Sequence, residues 1–220
     1  MEKRIVIHSM HNTGLFITFE GIDACGKSTQ IEMLYRYLND KNRKVAQVRD
    51  PGSTSLSEAI RTMLLDRENT HMSAWTELLL YEAARAQLVE ERIKPYLNRK
   101  YIVLCDRFYD STTAYQGYAR QLDKRLIEEA NAIGSCGLTP HLTFYLDVDP
   151  QVSLARKAKL GQLDRMEAEG SAFQARVREG FQLIQKNHPD RVKWIDGDQP
   201  VDSIHKKITA IVDQFLKNLL

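Results

Sequence analysis

The sequence has no surplus of one charge: 31 lysines and arginines against 29 aspartates and glutamates leave a formal +2. That balance sets up no global field to gather nucleic acid or an anionic membrane, so any anion site has to be local. Cysteine is scarce. Cys25, Cys105 and Cys136 lie far apart with no C-x-x-C pair, which argues against a disulfide framework or a cysteine-built zinc site and fits a reducing cytoplasm. No stretch approaches the ~18 consecutive apolar residues of a membrane span. The apolar run Ile5-Val6-Ile7 is too short for a signal-peptide core and no small-residue cleavage site follows it. Residues 1–13 are expected to form a mobile tail. Low-complexity tracts and internal repeats are missing too, so 14–220 reads as one domain.

What is present is alternation. Leu15–Glu20 is apolar and β-branched and stops at Gly21, and Lys27–Asp40 then carries Ile31, Leu34, Tyr35 and Leu38 at helical spacing. Val45–Val48, Tyr101–Cys105, His141–Leu146 and Val192–Ile195 read as further strands. Their continuous apolar character suits strands covered on both faces. A long helix is expected over about 73–97, with Pro95 fraying its end, and others after Pro150, around Phe173–His188 and around Ile204–Phe215. Five strands separated by helices predict an α/β fold: a five-stranded, mostly parallel sheet with helices on both faces. Ligands of such sheets sit beyond the carboxyl ends of the strands. Gly21–Thr29, Arg49-Asp50, Asp106-Arg107 and Asp147/Asp149 all follow strands and should converge on one rim.

Gly21-Ile22-Asp23-Ala24-Cys25-Gly26-Lys27-Ser28 completes G-x-x-x-x-G-K-[ST] between a strand and a helix, with Thr29 next. This is the P-loop of the P-loop NTPase fold. Its glycines let backbone N–H groups turn inward around a phosphate, and the helix N-terminus adds partial positive charge. Lys27 reaches the β- and γ-phosphates of ATP and the Ser28 hydroxyl coordinates Mg2+. Asp106 is a second candidate for the metal or its waters. Cys25 lies beside Lys27 at a helix N-terminus, and both features favour a thiolate. The guanine-reading N-K-x-D of switch GTPases is absent, and the compact chain points to small-molecule kinases. Arg49 and Arg107, each at a strand end, are suited to hold a dianionic monophosphate.

The segments Phe16–Asp23, Gly26–Gln30, Arg49–Thr54, Leu80–Arg85, Asp106–Gly117, Pro140–Val148 and Leu163–Glu167 together resemble the thymidylate kinases of bacterial type, over nearly the whole chain from Leu15. The resemblance implies transfer of the γ-phosphoryl group of ATP to dTMP, with Mg2+, in a cytoplasmic homodimer. It implies that Arg49 and Arg107 hold the acceptor phosphate, that Tyr81 stacks on thymine, and that Arg85 bonds its carbonyl edge. Tyr81 stands where the family usually has Phe. Tyr115 would pack beneath the deoxyribose, Ser111, Thr112 and Gln116 would reach base or phosphate, and Asp23 would lie near the 3′-hydroxyl. The basic segment 156–170 would be a lid over ATP. Because Ala24 stands where some relatives carry a phosphate-loop arginine, the extra cation is expected from the lid. Arg156 and Arg165 are preferred over Lys157 and Lys159, since a guanidinium can bridge two oxygens. Catalysis is thus expected from Lys27, Arg107, Asp23, Arg156 and Arg165. Two rivals share the phosphate loop. A deoxynucleoside kinase would need a carboxylate base after the second strand, such as Asp50, and a nucleotide-dependent switch ATPase would need no base-recognition set.

Overall fold

A computed structural model describes residues 14–157, 165–166 and 169–218. The expected tail (1–13) and the outer part of the expected lid, with Lys159, lie outside the described residues. Strands β1 (Leu15–Glu20), β2 (Val45–Arg49), β3 (Ile102–Asp106), β4 (Leu142–Asp147) and β5 (Val192–Asp196) form one sheet in the order β2-β3-β1-β4-β5. All its pairings are parallel, so the expected α/β fold is observed.

Period-two alternation explains why the strands read as unbroken apolar runs. From β1, Leu15, Ile17 and Phe19 enter one core. They meet Ile31, Leu34 and Leu38 of α1 (Lys27–Asp40), Phe173 and Phe181 of α8 (Ser171–Asn187), and Ile204, Ile208 and Val212 of α9 (Val201–Lys217). Phe16 enters the opposite core with Val48, Val103, Cys105 and Leu88. β1 is the central strand, with β3 on one side and β4 on the other. Registers Phe19↔Asp106, Arg49↔Asp106 and Glu20↔Tyr145 bring the strand ends to a common rim.

After β2, α2 (Ser55–Leu65) is capped by Thr54, whose side chain accepts from the Ser57 N–H. The Ser57 hydroxyl in turn donates to the Ala84 carbonyl at 2.7 Å, fastening α2 to α3 (Ala74–Leu88). The long helix does not fray at Pro95. A π-turn (Val89–Ile93) follows α3, and Pro95 opens α4 (Lys94–Asn98), where its missing N–H costs little. Beyond β3, α5 (Tyr109–Thr112) runs into a second π-turn, Thr113–Ala119. The helix α6 (Lys124–Gly134) was not expected; Asp123 caps it, accepting from the N–H groups of Arg125 and Leu126. Finally, α7 (Pro150–Lys157) follows β4. Among the described residues no helix is long and apolar enough to cross a membrane.

Candidate active site

The loop between β1 and α1 requires its glycines. Gly21 and Gly26 adopt φ of 136° and 103°, and Ala24 joins them at 53°. A Cβ on Gly21 would sit 2.4 Å from the Leu146 carbonyl oxygen. Lys27 is buried, and its ammonium donates to the carbonyls of Gly21 (3.2 Å) and Ile22 (3.0 Å), so it is held against the loop it serves. No acidic residue stands in the first turn of α1, which leaves the helix N-terminus open to an anion. The Ser28 hydroxyl donates to Asp106 at 2.9 Å. One hydroxyl and one carboxylate, side by side at the loop, suit Mg2+, which takes a few hard oxygen ligands and keeps its waters. The Cys25 environment departs from the thiolate expectation. Its side chain is 1% exposed, and burial pushes the thiol up despite Lys27 and Arg107 nearby.

Arg107 lies just past β3 in the left-handed region, φ 67°, and its backbone N–H donates to the Phe19 carbonyl at 3.0 Å. That turn lays the guanidinium across the phosphate loop. Nη1 donates to the Gly21 carbonyl (2.8 Å) and Ser111 (3.1 Å), and Nη2 to Asp23 (2.6 Å) and the Tyr115 hydroxyl (3.3 Å). Burial alone would raise Asp23, but Arg107 and then Lys27 overcome it and lower the carboxyl to about 2. Asp23 is therefore ionised at neutral pH.

Two cavities meet at this pair. One, about 590 Å³, is lined by the phosphate loop, Arg49, Asp106, Arg156 and Lys157. The other is lined by Tyr81, Arg85, Ser111, Thr112, Tyr115 and Gln116, with Leu65 and Met166 adding apolar wall. Asp23, Asp50, Arg61 and Arg107 line both. The spacing 111, 112, 115, 116 puts four of the expected acceptor residues on one face of the helix after β3.

Arg61 was missed from sequence. It lies one turn beyond Glu58 on α2, donates to the Pro51 carbonyl at 3.1 Å, and stands where the cavities join. Burial and then Arg49 depress its pKa, with Arg107 adding to the effect. Clustered guanidiniums of this kind are relieved by a bound anion. Arg49 lines only the phosphate-loop cavity of these two and pairs with Glu58 at 2.9 Å. Glu20, also missed, is fully buried at the end of β1. It accepts from the Phe108 N–H (2.7 Å) and the Ser111 hydroxyl (2.6 Å), and burial followed by the nearby Asp110 pushes it up to about 8.

Arg85 reaches the second cavity but is largely engaged in its wall. It donates to Asp50 (2.5 Å), Glu82 (2.6 Å) and Thr112 (2.8 Å), and its side chain is 2% exposed. Asp50 thus gives one oxygen to a buried ion pair, which counts against its use as a free base. Of the lid candidates, Arg156 lines the phosphate-loop cavity, donating to the Gly197 carbonyl and Asp198, each at 3.2 Å. The Ser153 hydroxyl ties the same helix to the loop through the Asp23 carbonyl at 2.6 Å. Arg165 goes elsewhere. It is 8% exposed, donates to the Leu64 carbonyl (2.8 Å) and pairs with the buried Glu77 (2.7 Å), beside Met166 in the wall of the second cavity. The structure does not bring it to the phosphate loop, where a lid cation was expected, but to Glu77.

Comparison with known proteins gives one consistent picture. A family model described as thymidylate kinase matches residues 19–208. A thymidylate kinase of Prosthecochloris aestuarii is 47% identical over 207 residues, 90% of this chain and 92% of the relative. One of Chlorobaculum tepidum is 45% identical over 208 residues, 90% of this chain and 97% of the relative. The crystal structure of thymidylate kinase from Ehrlichia chaffeensis superposes with a TM-score of 0.75 at 34% identity, covering 90% of this chain and 98% of that one.

Proposed function

The chain belongs to the thymidylate kinase family and phosphorylates dTMP to dTDP, and we propose how its residues divide that work. ATP places its phosphates in the Gly21–Thr29 loop, with Lys27 at the β- and γ-phosphates. Ser28 and Asp106 hold Mg2+, which neutralises phosphate charge when bound. dTMP fills the adjoining cavity, its base between Tyr81, Arg85 and Gln116, its sugar against Tyr115, and its phosphate toward Arg107, Arg61 and Arg49. Ser111 braces Arg107 at this junction, and Thr112 braces Arg85 beside the base.

The observation that carries this reading is that Arg107 and Asp23 line both cavities while paired with each other at 2.6 Å. An acceptor phosphate held there lies next to a donor phosphate in the loop. A monophosphate is already anionic near pH 7, its second pKa being about 6. It needs placement more than deprotonation, and the Arg107 guanidinium, fixed by its four hydrogen bonds to Gly21, Ser111, Asp23 and Tyr115, supplies a positioned cation for that. Arg156 is the lid cation that meets charge on the transferring group. Arg165 braces the acceptor wall.

The remaining parts of the reading concern the assembly. Trp75 and Leu79 on α3 and Leu126 and Ile133 on α6 are exposed apolar side chains on neighbouring helices. They support a homodimer through this face. The cysteines are unpaired, in keeping with a cytoplasmic site of action. The test of the acceptor is ADP release with dTMP against thymidine. dTMP is expected to be turned over and thymidine to be inert, and Arg107→Ala should cost about 2–4 kcal/mol in kcat/KM. Equal turnover of thymidine would refute the monophosphate reading.

A further inference from the structure

Glu77 opens α3 as a fully buried carboxylate with no place in the chemistry above. All of its acceptor capacity is used. Oε1 accepts from Gln116 Nε2 (2.8 Å) and Arg120 Nε (3.1 Å); Oε2 accepts from Arg120 Nη2 (3.0 Å) and Arg165 Nη1 (2.7 Å). Arg120 Nη2 also pairs with Glu169 at 2.5 Å, so two acids face two arginines and the cluster is neutral. Arg120 and Gln116, with Arg165, hold Glu77 below its ordinary value against the cost of burial.

An ionised carboxylate can only accept. The amide that faces it must therefore turn its NH2 toward Glu77, and this fixes which end of Gln116 is left for the acceptor cavity it lines. That end is the carbonyl oxygen, itself only an acceptor. Gln116 is 2% exposed, so water does not stand in for a wrong partner. We propose that Glu77 is a positioning residue for base selection: it sets the polarity of the Gln116 amide so that the cavity admits a base whose facing edge donates, and rejects one whose edge accepts. Thymine and uracil carry N3–H; cytosine has a bare N3 acceptor at the same place. The proposal rests on the reading of this cavity as the dTMP base site.

The same carboxylate also docks Arg165, whose neighbour Met166 lines that cavity. One buried anion thus holds two walls of the pocket, contributed by the helix after β3 and by Arg165-Met166 of the expected lid segment.

The experiment compares kcat/KM for dTMP, dUMP and dCMP in the parent and in Glu77→Gln. The replacement keeps the shape, but its amide can present either polarity, so Gln116 is free to turn its NH2 to cytosine. The expected result is that the dTMP-over-dCMP preference falls by about tenfold or more, the scale of one mispaired buried group. The dTMP-over-dUMP ratio should stay within about twofold, since both bases donate at N3. An equal loss on all three substrates, or an unchanged dCMP ratio, overturns the proposal and leaves Glu77 a brace. Should Glu77→Gln not fold, Gln116→Leu decides: it must lose the same dCMP preference, and if it keeps it the amide does not read N3. A parent that turns over no pyrimidine monophosphate overturns the acceptor reading and this proposal together. A parent that phosphorylates dTMP and dCMP alike overturns only this one.

Discussion

Arg156→Ala and Arg165→Ala should fail in opposite ways, and the structure sets the size of each failure. Arg156 is 37% exposed and its partner Asp198 is 43% exposed. An ion pair that open contributes about 0–1 kcal/mol, so the Arg156 variant should melt close to the parent. Its guanidinium nevertheless lines the phosphate-loop cavity, and in the proposed division of work it meets charge that builds only during transfer. Losing one such directed charge costs at least about tenfold in kcat, with the dTMP KM little changed. Arg165 has the reverse profile, 8% exposed against a Glu77 that is 1% exposed. Removing it does not strand the carboxylate, because Arg120 and Gln116 keep three of its four hydrogen bonds. The cost is therefore below the ~3–5 kcal/mol of an abandoned buried charge and nearer 1–2 kcal/mol. For a chain of this length that lowers Tm by about 2–8 °C. The dTMP KM should rise as Met166 loses its support, while kcat changes less. Coupled ADP-release kinetics and thermal melts on the two variants decide it. If Arg165→Ala melts like the parent and loses kcat at constant KM while Arg156→Ala is silent, the two assignments are reversed.

Three further outcomes are expected. Asp23 sits at about 2 against an ordinary 3.8, so its contribution is complete above pH 4 and is lost as pH falls through 2. Asp23→Asn should therefore be less stable than the parent by on the order of 2 kcal/mol at pH 7, with the gap closing in acid; a gap constant from pH 7 to 3 in urea titrations refutes the pairing. Cys25 is buried with its thiol pushed up, so iodoacetamide at neutral pH should label the more exposed Cys136 first, and equal labelling by mass spectrometry would contradict the shielding. Leu79 is 65% exposed on α3, and Leu79→Glu should shift sedimentation from dimer to monomer; a parent already monomeric at micromolar concentration removes that interface.

What the sequence made legible follows from how local each signal is. The phosphate loop is a contiguous pattern whose backbone needs, glycine above all, are written in the residues themselves. The strands are apolar runs bounded by turn residues, and strand ends in such a sheet share a rim by topology, which is why Arg49, Asp106 and Arg107 could be placed together. Pro95 misled because its ring reads as a helix stop, whereas the π-turn before it gives the ring room. Helix α6 is marked locally only by Asp123 ahead of Leu126 and Ile127. Arg61 had none: on a helix, an arginine one turn past a glutamate reads as a surface pair, and only the packing of α2 beside the β2 turn turns it inward.

The lid shows most sharply where local reading ends. The density of basic residues in 156–170 is plain in the sequence, and so is the chemical need for one more cation. Which arginine answers that need depends on where carboxylates wait for the others. Glu77 lies 88 residues before Arg165, and nothing around either residue marks them as partners. Glu77 is buried and already shared by Arg120 and Gln116, so a second guanidinium completes its acceptor set at low desolvation cost. Asp198, half open to water, holds Arg156 only weakly. A cation that is loosely held beside the phosphates can be recruited to them. One that completes a buried, neutral cluster cannot leave without breaking the wall of the pocket proposed for the base.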